Sequence, residues 1–234
     1  MDAAAIHRGL DFYYLCYDNE SYANTGFQTS ASTPYGARTS TEPITPRSPH
    51  GSVHGRRDLF EIWRVQRPPH LATISAAYPL DLSEKVYRAS KFTGPKLFIA
   101  LSARLRRSIP NGRSMIARSA VETGIWPLKE AIHGEVTHTY VPRRFEPVEN
   151  YLNRQGRFRH LFEPKLDEEA ISHIQATVDH YWSAALQDNK RIDYKASEEP
   201  PFHRIFEALG QWNLVGLKVG IFWIFRQVAP IIGI

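Results

Sequence analysis

The residues best suited to holding a charged ligand lie together in Tyr17-Asp18-Asn19-Glu20-Ser21-Tyr22-Ala23-Asn24-Thr25-Gly26-Phe27-Gln28-Thr29-Ser30, followed by Thr33-Pro34-Tyr35-Gly36-Ala37. Two asparagines, several hydroxyls and one glycine make this a polar turn. Such a turn suits a diphosphate and its cation. Mg²⁺ takes oxygen ligands in octahedral geometry and shares them with phosphates. An amide oxygen, a backbone carbonyl and N–H donors can all come from one tight turn. Asn and Asp also favour turns for conformational reasons alone, so composition leaves an ordinary turn as the alternative.

The elements around this block decide where it sits. Asp11-Phe12-Tyr13-Tyr14-Leu15-Cys16-Tyr17 is a short, nearly continuous apolar run, which predicts a strand buried on both faces, as in a parallel sheet. Open α/β sheets bind ligands just past the carboxyl ends of such strands. Before it, residues 2–9 read as the tail of a helix ended at Gly9. Residues 23–58 are rich in Thr, Ser, Pro and Gly, and predict a long functional or disordered loop. A short helix over 58–67, a strand from His70 to Ser75, a helix from Asp81 to Phe92 and a strand from Lys96 to Leu101 then give an α/β alternation. A helix over 114–123, an exposed hairpin strand from Glu135 to Val141, a short helix over 147–154 and a longer amphipathic helix from Asp167 to Leu186 complete the pattern.

Composition narrows the function class. The chain has 234 residues, 42% apolar and 23% charged, enough to bury a core and unlike a disordered or fibrous chain. The formal charge of +5 makes no case by itself for nucleic acid, and no nucleic-acid partner is expected. One cysteine, Cys16, excludes a disulfide framework and any site built from several thiolates of this chain. The first residues show no signal-peptide pattern, which predicts a cytoplasmic protein and makes the Asn19-Glu20-Ser21 sequon an accidental match.

The sequence resembles the β-subunit, or the corresponding C-terminal region, of pyruvate and related 2-oxoacid:ferredoxin oxidoreductases, which use thiamine diphosphate. The residues that carry the resemblance are the Tyr17 to Gly26 block, Gln28, Thr33-Pro34-Tyr35-Gly36-Ala37, Ala76-Ala77-Tyr78-Pro79, Val121-Glu122-Thr123-Gly124 before Trp126-Pro127-Leu128, and Gln155-Gly156-Arg157-Phe158. They fall in order over roughly residues 1–187. The resemblance implies an incomplete doubly wound, mostly parallel α/β sheet of the thiamine-diphosphate-binding type with a C-terminal helical extension. It divides the chain into a partial cofactor domain (1–141), a helical segment (142–187), a polar linker (188–201) and an apolar tail (202–234).

The resemblance also implies roles. Asn19 gives a side-chain oxygen to Mg²⁺, and Ser21 gives its backbone carbonyl. Asn24 lies beside the reactive carbon of the cofactor. Asp18, Tyr22, Thr25, Gly26 and Gln28 belong to the same cofactor-binding loop. In such enzymes the cofactor adds to a 2-oxo acid, carbon dioxide leaves, electrons pass through Fe–S clusters to ferredoxin, and coenzyme A takes the acyl group. Partner subunits of the α, γ and δ type are implied with it.

The departures matter equally. The family's Gly-Asp-Gly segment, which supplies the Mg²⁺ carboxylate, would precede the helix over 2–9, and this chain begins after it. A late cysteine of the nearest [4Fe–4S] cluster would fall near Ala103 to Leu105, where the chain reads Ala103-Arg104-Leu105. No cluster is therefore expected to be ligated by this chain. Arg104, Arg106, Arg107, Arg113 and Arg118 form a basic stretch, read as a solvated or subunit-facing patch. His50 and His54 have helical metal-ligand spacing but no third ligand. The tail carries Trp212, Phe222, Trp223 and Phe225, but its longest charge-free stretch, Val219 to Phe225, is far short of the roughly 20 residues a spanning helix needs. It reads as a surface for a partner or a membrane face. Two functions follow: a component of a thiamine-diphosphate-dependent oxidoreductase, or a truncated or split-gene remnant acting as a non-catalytic interaction module.

Overall fold

The computed structural model describes residues 3–102 and 112–187. The stretch near Ala103 to Leu105, most of the basic patch, the linker and the 202–234 tail lie outside the described residues.

A short helix, α1 (Ala3–His7), is followed by Gly9 with φ +62° and by strand β1 (Phe12–Asp18). After the long loop come α2 (Leu59–Arg64), β2 (His70–Ile74), α3 (Pro79–Ala89), β3 (Pro95–Leu101) and α4 (Gly112–Glu122). The hairpin β4 (Leu128–Ile132) and β5 (Glu135–Tyr140), the short α5 (Glu149–Leu152), a 3₁₀ run over Gly156–Leu161 and α6 (Glu168–Gln187) follow. Each expected helix and strand is present within a few residues of its predicted bounds. The partner strand β4 and the 3₁₀ run were not predicted.

The five strands make one mixed sheet in the order β1-β3-β2-β4-β5. Strand β3 pairs in parallel with both β1 and β2, while β4 runs antiparallel to β2 and to β5. Four of the five strands therefore point one way, and β4 alone is reversed. The β2–α3–β3 unit is a parallel crossover, which needs a covering helix. Pro79 starts that helix, its fixed φ suiting a first turn whose N–H has no partner. The β4–β5 turn sits at His133 and Gly134, with φ +51° and +90°. Positive φ at both central positions is what a tight hairpin turn matching the strand twist requires.

Alternation along β2 and β3 sends side chains to two cores. Leu71, Leu97 and Ile99 join Phe60, Ile116, Trp126, Tyr151, Phe158 and Ile171 in the larger one. Ala72, Ile74 and Phe98 face α3, where Ala89, Leu82 and Val86 pack on them. Burying one such apolar side chain contributes roughly 1.5–3 kcal/mol. Strand β1 corrects the sequence expectation. It is partly exposed along most of its length, and only Asp18 at its end is buried. The reason is position: among the described residues it pairs only with β3, at the edge of the sheet, so one side of its apolar run is not covered.

The last helix closes over the loops. Asp167 caps it, its Oδ1 accepting from Ala170 N at 3.1 Å. Its Oδ2 lies 2.5 Å from His50 Nδ1. His50 is thus a tie between the long loop and α6. Among the described residues no group of three or more His, Cys, Asp or Glu is placed to hold a metal ion. At the other end of α6, Trp182 Nε1 donates to Gly124 O at 3.0 Å. No helix of the described residues is long and apolar enough to cross a membrane.

Candidate functional site

The polar turn begins where β1 stops. Asp18 is the last residue of β1, paired with Leu101 of β3, and its carbonyl accepts from Ser102 N at 2.8 Å. The turn therefore starts at the carboxyl end of the parallel strands, as in the ligand crevices of open α/β sheets. Asp18 Oδ1 accepts from Glu20 N at 2.9 Å, and Asn19 Oδ1 accepts from Ser21 N at 3.2 Å. These two overlapping side-chain turns fold the chain back on itself.

Glu20 is the pivot. It has φ +59°, in the left-handed region, and its side chain is completely buried. A non-glycine residue held there costs on the order of 1–3 kcal/mol and persists only where its surroundings over-determine it. They do so here. Its carbonyl accepts from Thr33 Oγ1 at 2.7 Å. Its carboxylate is ion-paired to Arg157 and accepts from Tyr151 Oη at 3.1 Å, with Arg56 Nη1 3.4 Å away. Burial pushes the Glu20 pKa up, but Arg157 and Arg56 outweigh it and hold the carboxyl below its ordinary value. Arg56 also donates from Nη2 to Asp18 Oδ2 at 2.5 Å, and its guanidinium lies 4.4 Å over the Trp126 ring. Both oxygens of Asp18 are thus engaged within the protein.

The far side of the turn is more open. Tyr22 N donates to Gln28 O at 3.0 Å, closing a small loop whose tip is Asn24-Thr25-Gly26. Thr25 Oγ1 donates to Gln28 Oε1 at 2.6 Å, and Gln28 Nε2 returns to Thr25 O at 2.5 Å. Tyr22, Asn24, Thr25 and Gly26 are exposed.

Six of the expected site residues, Asp18, Asn19, Ser21, Tyr22, Asn24 and Thr25, line one cleft of about 490 Å³. Gly26 and Gln28 do not line it and instead shape the loop tip. Ser30, Ser32 and Arg57 form part of the remaining wall. Ser21 is 5% exposed, and its hydroxyl is buried without a hydrogen-bond partner. An orphaned hydroxyl of this kind calls for an explanation such as an absent ion or water. The oxygens on offer, the Asn19 amide, the Ser21 hydroxyl and backbone carbonyls, are neutral. They fit a Mg²⁺ whose charge is balanced by a bound diphosphate.

Glu20 and Arg56 also line a second, more enclosed cavity of about 250 Å³, with Trp126, Lys129, Tyr151 and Tyr181. The pivot is therefore shared by two spaces. Sequence reasoning missed the roles of Glu20, Arg56 and Arg157. Arg157 stands in the Gln155-Gly156-Arg157-Phe158 motif, but its partner is 137 positions away. The one available signal was a second carboxylate beside Asn19 in a loop that already carries adjacent arginines at 56 and 57.

A polar turn of amide, hydroxyl and carbonyl oxygens at the carboxyl end of the parallel strands is the arrangement of an open α/β sheet with its cleft at the strand ends. No family model matches the chain. Relatives give that arrangement its particular form. The chain is 42% identical over 180 residues to pyruvate synthase subunit PorB of Methanothermobacter marburgensis, covering 76% of this chain and 60% of that subunit. It is 39% identical over 171 residues to ketoisovalerate oxidoreductase subunit VorB of Pyrococcus horikoshii, covering 71% of this chain and 54% of that one. A solved 2-oxoglutarate:ferredoxin oxidoreductase from Magnetococcus marinus, with 2-oxoglutarate, coenzyme A and succinyl-CoA bound, overlaps 94% of this chain and 60% of its own at TM-score 0.38 and 13% identity. The chain is thus a homologue of the B subunits of 2-oxoacid oxidoreductases, as the Tyr17 to Gly26 block suggests. It spans about 60% of the length of the first of these relatives.

Proposed function

We propose that this chain provides the cofactor turn of a thiamine-diphosphate-dependent 2-oxoacid oxidoreductase, with pyruvate the first substrate to test, acting with partner subunits. The observation that carries the reading is the single cleft that gathers Asn19, Ser21, Asn24 and Thr25 at the end of β1, with a buried, unpartnered hydroxyl in its wall. The names of the relatives support the reaction class. When bound, thiamine diphosphate supplies the carbanion chemistry that decarboxylates a 2-oxo acid. Asn19 Oδ1 and the Ser21 carbonyl would hold Mg²⁺ beside the diphosphate. Asn24, on the exposed tip, would orient the substrate carbonyl near the reacting carbon. Glu20, Arg56 and Arg157 hold the turn in its shape, so that these donors are aimed before the ligand arrives.

The neutral donor set sets a limit. Asp18 is ion-paired to Arg56, so among the described residues this cleft offers no unpaired carboxylate to the cation. The carboxylate would come from a Gly-Asp-Gly segment, and coenzyme A and ferredoxin would be met in the assembled enzyme. The full chain by itself should bind Mg²⁺–thiamine diphosphate poorly, since charge neutralisation dominates such sites. Micromolar affinity by calorimetry would contradict this.

Asn24→Ala in the complex carries the main test. Loss of one preorganised donor costs about 10²–10³ in rate. Turnover should fall by that factor while cofactor affinity changes little. An unchanged turnover number would refute the role. Asn19→Ala should instead weaken Mg²⁺-dependent cofactor binding.

A further inference from the structure

Two adjacent arginines precede α2, and they are used differently. Arg56 turns inward. It is bonded to Asp18 and Glu20, and it stacks on Trp126. Arg57 is exposed and lines the cleft. Among the described residues that line it, Arg57 is the only cationic side chain. Its position is fixed by backbone bonds on either side. Arg57 N donates to Ala31 O at 2.8 Å, and the next residue, Asp58, caps α2 by accepting from Phe60 N at 2.9 Å. Its guanidinium has no hydrogen bond or ion pair within the described residues.

We infer that Arg57 is an anion-binding residue of this cleft and takes a diphosphate group there. The inference rests on the proposed cofactor reading for the identity of the ligand, but its chemistry stands on the cleft itself. Every other donor or acceptor in that wall is neutral except Asp18, whose charge is already matched by Arg56. A free guanidinium facing neutral amide and hydroxyl groups leaves the cleft with one uncompensated positive charge. Arginine presents a planar fork of donors that matches phosphate oxygens, and a charged hydrogen bond of this kind is about twice as strong as a neutral one. The unpartnered Ser21 hydroxyl in the same wall is a second group without a ligand. A diphosphate in the cleft supplies oxygens for the Arg57 fork, beside a wall in which the Ser21 hydroxyl is buried. The group could belong to thiamine diphosphate or to coenzyme A, since both carry it.

The test uses the full chain without Mg²⁺. Binding of inorganic diphosphate, thiamine diphosphate and coenzyme A is followed by NMR titration at low ionic strength. Saturable binding of at least one should weaken about tenfold in R57Q, the scale of one charged hydrogen bond. R57K, which keeps the charge and loses the fork, should fall between the two. Arg159 is a control, being exposed and paired with Glu163 away from the cleft at 3.0 Å. R159Q changes the net charge equally and should leave affinity within about twofold. Tighter binding of thiamine diphosphate or of coenzyme A identifies the source, and either supports the inference. No saturable binding of any of the three, an R57Q affinity equal to wild type, or an equal loss in R159Q would overturn it. If the complete enzyme shows no Mg²⁺-dependent thiamine diphosphate binding while R57Q still weakens inorganic diphosphate, the cofactor reading fails and this one stands.

Discussion

Two buried charge clusters lie in this molecule, and they do opposite work. Beneath the cleft, Glu20 meets Arg157, Arg56 and Tyr151, joining the turn after β1 to the long loop and to the 3₁₀ run. On the α3 face of the sheet, His70 Nε2 lies 3.3 Å from Glu130 Oε2, Arg88 Nε donates to the same oxygen at 3.2 Å, and Lys85 Nζ donates to Asp81 Oδ2 at 2.7 Å and to Thr73 O at 2.8 Å. The second cluster links α3 to the strands directly under it. None of its members lines the cleft. The first holds a non-glycine residue at positive φ in the turn that leads into the cleft. Burying ions is expensive in both places. Only in the first does the cost shape the cleft.

The largest effect should follow from breaking the first cluster. Arg157→Ala leaves the buried Glu20 carboxylate without its nearest cation. Removing one partner of a buried pair costs about 3–5 kcal/mol. Urea unfolding should show that loss, and cofactor binding by the complex should fall with it. Arg157→Lys keeps the charge but loses the fork geometry. It should recover most of the stability and less of the binding. Full stability in Arg157→Ala would show that the cluster is not the joint described here.

The unequal legibility of these two clusters has a physical basis. Strands β2 and β3 read plainly, because burial on both faces leaves short, mostly apolar runs. The same signature in Phe12 to Cys16 over-predicted burial, since an apolar run does not say whether a neighbouring strand covers it. The six cleft residues were legible as a polar turn after a strand. Their support was not, because it depends on Glu20 meeting Arg157 from 137 positions away, and no local period encodes such a contact. Arg57 was likewise silent: nothing in Arg56-Arg57 says which side chain turns inward.

The second cluster should tolerate what the first does not. Replacing both Asp81 and Lys85 with apolar residues of similar size, Asp81→Leu with Lys85→Met, removes a buried pair whole. Such replacements are often neutral or stabilising. Unfolding free energy should stay within about 1 kcal/mol of wild type, with cofactor binding by the complex unchanged. Asp81→Ala alone, which strands the Lys85 ammonium, should cost more than the double variant. Cofactor binding lost in the double variant would erase the distinction between the clusters.

Acid should separate the titrating groups by pH window. Burial lowers the pKa of His70, against the pull of Glu130, and pushes His138 down to about 4, with Lys129 adding to the shift. A histidine held neutral in the fold charges more readily once unfolded. Its contribution is therefore present above its ordinary pKa of about 6.5 and is lost as pH falls through the folded value. Glu20 is a depressed carboxyl, so its contribution is present above its ordinary value of 4.5 and is lost only below that, through its folded pKa. Between about pH 6.5 and 4.5 the histidines should dominate the slope, and below it the depressed carboxyls Glu20, Glu130 and Asp11 should share it. For His138 the span from 6.5 to about 4 sets a ceiling near 3 kcal/mol. Its side chain is not fully buried, and solvent screening reduces this to about 2 kcal/mol. Urea midpoints measured from pH 7.5 to 3.5 should show His138→Gln flattening the upper window and Glu20→Gln flattening only the lower one. A lower-window slope unchanged in Glu20→Gln would mean that Arg157 and Arg56 do not hold that carboxyl charged, and the pivot beneath the cleft would lose its electrostatic basis.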